Sequence, residues 1–202
     1  MVELRYECCN YYDKMIQCLN PLPRSAVGKG PFPGVLLLPG SGAVDMNETA
    51  GHIRIDNKTG SKIYPAAQPL FQIAEYMSYR GFVVLRYDKT GVGSNYTFSD
   101  SNAWDNLTFD NLKQDAEKAL SALLQQPKVN GTEKVTLFAH SEGTAVAPRV
   151  TVDNPDKVKN VLLKGVIAQN AIKDVQYYLE VTAFNVFQFM LLFIPYPELF
   201  IF

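Results

Sequence analysis

Four short apolar runs punctuate the chain. Val35-Leu36-Leu37-Leu38 is bounded by proline and glycine, Phe82-Val83-Val84-Leu85 follows Gly81, and Val135-Thr136-Leu137-Phe138 and Val161–Ile167 repeat the theme. Runs this short and continuous predict strands buried on both faces of a parallel sheet. Between the first two, Leu70, Ile73, Ala74 and Met77 recur at helical spacing, and Gly81 stands where such a helix would end. Leu112, Ala116, Ala119, Leu120 and Leu123 line one face of a second helix, which Pro127 stops. A third helix begins after Ser141 and stops near Asn154-Pro155. Strands alternating with helices predict an α/β fold, a mostly parallel sheet with helices on both faces. Ahead of it, Val2–Cys9 and Lys14–Leu19 predict a hairpin across Asn10–Asp13, joined on by the proline- and glycine-rich connector Pro21–Pro33.

Composition narrows the class. A chain of 202 residues supports one domain with a real core, and 47% hydrophobic with 19% charged residues is a globular balance. The net charge of −1, with Lys and Arg scattered rather than striped, excludes a nucleic-acid partner. The three cysteines, Cys8, Cys9 and Cys18, are odd in number and lack zinc-ligand spacing, so they read as thiols; neither a metal nor a cofactor is expected. Met1–Cys9 carries Glu3, Arg5 and Glu7 where a secretory signal needs an apolar core, which favours the cytoplasm. Five Asn-x-Thr sequons, at Asn47, Asn57, Asn95, Asn106 and Asn130, keep an extracytoplasmic origin open.

The chemistry sits at the strand ends. Ala139-His140-Ser141-Glu142-Gly143 falls between the third strand and the following helix. A nucleophile elbow needs a sharp strand-to-helix turn there, with small residues two before and two after the serine. Gly143 fits, and Ala139 replaces the usual first glycine by the next smallest residue. The alternative is a serine in an ordinary strand-to-helix loop; the flanking elements favour the elbow. Pro39-Gly40-Ser41-Gly42 follows the first strand, at the sheet edge where ligands bind. Glycines there let backbone N–H groups point at a developing negative charge, as an oxyanion hole requires; alone such a turn is more often a tight loop, and its pairing with the elbow favours the site. Arg86-Tyr87-Asp88-Lys89-Thr90-Gly91-Val92-Gly93-Ser94 follows the second strand. It lacks the order of a phosphate loop and reads as a structural turn beside the site, with Asp88 accepting backbone hydrogen bonds.

Taken in order, Leu-Leu-Leu-Pro-Gly-Ser-Gly with Asp45 after it, Arg-Gly-Phe-Val-Val-Leu-Arg-Tyr-Asp-Lys-Thr-Gly-Val-Gly-Ser, and His-Ser-Glu-Gly resemble the bacterial and archaeal α/β-hydrolase esterases close to the serine aminopeptidase and acyl-CoA thioesterase-like hydrolases. The resemblance covers residues 34 to about 170. It implies Ser141 as nucleophile, the amides of Ser41 and Glu142 as oxyanion donors, and a small-molecule acyl substrate. It also implies a cap or lid after the strand ending near Asn170.

One part of the pattern is missing. A serine hydrolase of this fold takes its acid and then its histidine from positions after the serine. His52 and His140 are the two histidines, and both precede Ser141. His140, adjacent to the serine, points its side chain away from the proton to be taken, and His52 reads as a loop histidine. Beyond Asn170, Ile172–Leu179 could be helical, and Phe184–Ile194 is apolar but shorter than the ~20 residues of a membrane span. It reads as a lid helix or an interfacial segment. The expectation is therefore 1–33 as hairpin and connector, 34–170 as an incomplete hydrolase core, and 171–202 as the start of a lid, with the chain truncated and its last strands absent. The strand at Val161–Ile167 would then lie at a sheet edge and favour self-association. Three functions remain: an esterase-like serine hydrolase, a non-catalytic binding or scaffold protein on the same sheet, and a serine peptidase.

Overall fold

The computed structural model describes residues 7–11, 14–19, 30–50, 67–93, 97–130 and 133–166. The chain divides into two units, Met1–Val166 and Ile167–Phe202, and the second, including the lid expected over 171–202, lies outside the described residues, as does His52. The described part runs β1 (Glu7–Tyr11), β2 (Lys14–Leu19), β3 (Gly34–Leu38), α1 (Pro69–Tyr79), β4 (Val83–Tyr87), α2 (Ser101–Asp105), α3 (Phe109–Leu124), β5 (Val135–His140), α4 (Gly143–Asp153) and β6 (Val158–Lys164). The strands form one sheet in the order β1-β2-β4-β3-β5-β6. β4, β3, β5 and β6 are parallel, and β1 and β2 extend the sheet antiparallel beside β4.

That order positions everything functional. The chain winds outward from β3 to β4, then crosses back past β3 to lay down β5 on its other side. The segments leaving β3 and β5 therefore depart in opposite directions, a topological switch point at the carboxyl ends of these two strands. In open α/β sheets this switch point is where ligands bind.

β3 shows why its sequence is continuously apolar: all five of its residues are buried. Leu36 and Leu38 join Leu85, Leu137 and Ala139 in a core against Leu112, Ala116, Ala119, Leu120 and Leu123 of α3 and Val146, Ala147 and Val150 of α4. On the opposite face, Val35, Leu37 and Val84 pack against Leu70 and Ala74 of α1. The period-two alternation of a strand thus serves two layers of helix. β6 is different. It begins at Val158 rather than the expected Val161, and leaves Leu162 49% and Leu163 40% exposed. Its start is set by backbone register with β5, including an irregularity at Val135/Thr136, and not by apolarity.

Helix ends follow local chemistry. The Thr108 hydroxyl accepts from the Asn111 amide, and the Asn111 side chain accepts in turn from the Thr108 amide, closing a capping box on α3. α2 had no apolar signature because it buries none of its residues; the Asp100 carboxylate caps it through the Ala103 amide at 3.0 Å. Among the described residues no helix is long and apolar enough to cross a membrane.

Two outcomes follow from this core. Leu36→Ala, emptying a fully buried site, should lower the unfolding free energy by about 2–5 kcal/mol in urea titrations, whereas Val152→Ala on the exposed flank of α4 should stay within about 0.5 kcal/mol. The Tyr87 phenol is held protonated well above its ordinary value of 10.0, first by burial and then by the charges of Asp115 and Glu142. The unfolded chain ionises near 10.0 while the folded one does not, so this group's stability is intact below that pH and is lost as pH rises above it. Tyr87→Phe should accordingly reduce the loss of thermal stability above pH 10.0.

Candidate active site

Ser141 stands at the turn between β5 and α4 with φ +48°, a left-handed conformation that non-glycine residues adopt at a cost. Its N–H donates to the Lys164 carbonyl at 2.9 Å, and its own carbonyl accepts from the Thr144 amide at 2.9 Å and the Thr144 hydroxyl at 2.6 Å. The chain therefore reverses sharply within one residue while staying bonded on both sides.

The small residues around it have definite causes. A side chain at Gly143 would place its Cβ 2.9 Å from the Leu38 and Pro39 carbonyl oxygens, so α4 starts directly against the end of β3. Ala139 is fully buried and pairs with Leu38. Glu142 is the N-cap of α4, and the amides at such a position have no partner within the helix. The turn after β3 lies against the same point. A Cβ at Gly40 would sit 3.2 Å from Ser141 Cβ, 3.2 Å from His140 Nδ1 and 3.1 Å from Glu48 Oε1. Next to it, Ser41 and Gly42 are exposed, and Gly42 has φ +82° with open space around it. Residues named from sequence (Ser41, Ala139, His140, Ser141, Glu142 and Gly143) thus gather around the ends of β3 and β5.

Two acidic and basic side chains that sequence reasoning passed over complete the surroundings. Glu48, 7% exposed and at φ +50°, accepts from the Gly40 amide and holds His140 Nδ1 at 2.9 and 2.8 Å from its two oxygens. The tight turn beneath it is fixed by Asp45, whose carboxylate accepts from the amides of Asn47 and Thr49 and the Thr49 hydroxyl. Asp88 accepts from the Met46 amide at 2.7 Å, a partner 42 residues away in sequence. Lys89, with a 2% exposed side chain, donates to the Gly40 carbonyl at 2.7 Å and to Glu142 Oε2 at 3.1 Å. Burial pulls its ammonium below the ordinary lysine value, and the Glu142 carboxylate opposes that shift. The one hint in the sequence was the polar stretch between Gly40 and Ser61, too rich in turn-forming residues to be featureless.

Known proteins are similar to this chain in sequence and in fold. Residues 66–190 match the family described as serine aminopeptidase, S33, a span that includes Ser141 and does not reach the turn at Gly40. Esterase EstD from Thermotoga maritima is 32% identical over 123 residues, which is 61% of this chain and 24% of that protein. In fold the chain is similar to the epoxide hydrolase VrEH1 from Vigna radiata, with a TM-score of 0.51 at 16% identity, covering 87% of this chain and 46% of that one. It is also similar to an epoxide hydrolase from Solanum tuberosum, with a TM-score of 0.52 at 18% identity over 86% of this chain and 46% of that one. The chain spans about a quarter of the curated relative and under half of these structures.

The left-handed turn gives a direct stability test. Ser141→Gly should unfold at higher urea than Ser141→Ala, by about 1 kcal/mol, since only glycine adopts φ +48° freely. Equal stability of the two variants would show that the turn is relaxed.

Proposed function

The chain belongs to the serine aminopeptidase, S33, family of α/β-hydrolases, and we propose that it acts on carboxylic esters or related acyl compounds by acyl transfer through Ser141. The observation that carries this reading is the juxtaposition at the switch point: a serine in a left-handed turn, with the glycine turn after β3 so close that a Cβ added at Gly40 would lie 3.2 Å from the Ser141 Cβ.

In this reading Ser141 Oγ attacks the acyl carbonyl and gives up its proton. The carbonyl oxygen becomes an oxyanion and accepts hydrogen bonds from the Ser41 and Glu142 amides. Collapse breaks the bond to the leaving alcohol, which takes a proton, and leaves an acyl-serine for water to hydrolyse. The dipole of α4 adds favourable potential at the oxyanion. Bases in this fold follow the serine in chain order, and both histidines here precede it; His140 Nδ1 is committed to Glu48. In this reading these residues supply the nucleophile and the oxyanion donors, and neither histidine is assigned as the base.

That absence also favours a rival, a binding or scaffold protein on the same sheet, and one experiment separates the two. The 202-residue chain should hydrolyse p-nitrophenyl acetate slowly, and added imidazole, acting as an external base, should raise the rate in a manner that Ser141→Ala removes. An imidazole effect identical in wild type and Ser141→Ala would favour the binding reading. An unassisted rate typical of a complete triad, lost in Ser141→Ala, would show that the base lies within these residues. The curated relative is named an esterase, which favours esters over peptides; faster cleavage of an amino-acid p-nitroanilide than of the ester would reverse that preference.

A further inference from the structure

We propose that Lys89 is the positioning residue of the oxyanion turn, clamping the Gly40–Ser41 peptide and the Glu142 side chain to one buried ammonium. The inference rests on the assignment of Ser41 and Glu142 as oxyanion donors and explains what holds them in place.

A trans peptide is planar, and its C=O and N–H point in opposite directions. Lys89 Nζ binds the Gly40 carbonyl at 2.7 Å, so it fixes the plane of the Gly40–Ser41 peptide and aims the Ser41 N–H away from the lysine. Without such a hold the plane would rotate easily, because it adjoins glycine on one side and the open Ser41-Gly42 turn on the other. The Gly40 amide is held as well, by Glu48, so this glycine is locked through both of its backbone groups by buried charged side chains.

The same ammonium lies 3.1 Å from Glu142 Oε2. Glu142 follows the serine directly, and its carboxylate would repel an oxyanion forming at its own amide. Lys89, with a 2% exposed side chain, offsets that charge, while the Glu142 side chain stays 30% exposed. The lysine is itself tightly placed. Thr90, next in sequence, binds Asp115 through its amide at 2.7 Å and its hydroxyl at 2.9 Å. The Lys89 carbonyl accepts from the Val92 amide at 3.0 Å, and the ammonium sits 5.5 Å from the centroid of the Trp104 ring. Trp104 is brought there because Gly91 has no side chain; a Cβ would meet the Trp104 amide nitrogen at 2.6 Å. The segment read from sequence as a structural turn is, on this account, the mount for an electrostatic clamp.

The test uses the 202-residue chain and Lys89→Met, which keeps the length of the side chain and removes the donor and the charge. Two readouts are taken: imidazole-assisted, Ser141-dependent hydrolysis of p-nitrophenyl acetate, and the NMR signals of the Gly40 carbonyl carbon and the Ser41 amide. The expected result is a rate lower by about 10- to 100-fold at unchanged half-saturating ester, somewhat less than the roughly 10²–10³ for deleting an oxyanion donor outright. Both NMR signals should move, Lys89→Arg should recover part of the rate, and Glu142→Gln in the Lys89→Met background should recover the part due to charge. If Ser141-dependent turnover is unchanged in Lys89→Met, the clamp is overturned while the nucleophile assignment stands. If wild type shows no Ser141-dependent turnover, that assignment fails; the clamp is then kept or rejected by whether the Gly40 and Ser41 signals move. Should Lys89→Met not fold, Lys89→Gln, which is shorter and uncharged, carries the same comparison, and unmoved signals with unaltered rate reject the proposal.

Discussion

Where β3 and β5 end, backbone has to pass against backbone, and two missing side chains allow it. Gly143 lets the first turn of α4 rest on the Leu38 and Pro39 carbonyls, and Gly40 lets the following turn rest against Ser141 and His140. A methyl group at either place meets atoms at 2.9 to 3.2 Å, too close for a packed interior to accommodate without movement. The switch point is close-packed for this reason, and the serine, the glycine turn and the helix N-terminus share one small volume.

Around that volume the protein buries charge. Arg86, Asp88, Lys89, Asp115, Asp45 and Glu48 are each less than 9% exposed, clustered behind the ends of β3 and β4. A buried charge is costly unless it is paired and hydrogen-bonded, and removing one partner of such a pair typically costs about 3–5 kcal/mol. Here the partners are largely backbone groups: the amides of Gly40, Met46, Asn47, Thr49 and Thr90 and the carbonyl of Gly40. The charged residues therefore specify the path of the loops more than they strengthen the core. They give a glycine-rich, intrinsically loose segment one conformation.

How much of this was readable from the residues alone depended on range. β3, α1, β4, α3, β5 and α4 were legible because apolar spacing reports local burial, and the Ser141 turn because it required small residues at fixed offsets. The antiparallel pairing of β1 with β2 was also legible, and among the described residues it begins at Glu7. α2 was not, since a helix that buries nothing leaves no stripe. Nor were Glu48 and Lys89. Glu48 meets His140, and Lys89 meets Gly40 and Glu142, across stretches of chain that only the folded topology brings together. A polar residue in a loop carries no periodicity to announce such a partner.

The bond from the Ser141 amide to the Lys164 carbonyl links the left-handed turn to β6, most of whose residues are exposed. Local opening of a sheet starts where burial is least. In β6 Val158 and Val161 pack on the core while Leu162 and Leu163 stay exposed, so the hold on Ser141 in its left-handed turn depends in part on the pairing that keeps β6 zipped to β5. The serine's geometry is in this sense leased from the sheet margin: whatever grips or loosens the backbone near Lys164 sets how long Ser141 remains in register with the turn that faces it.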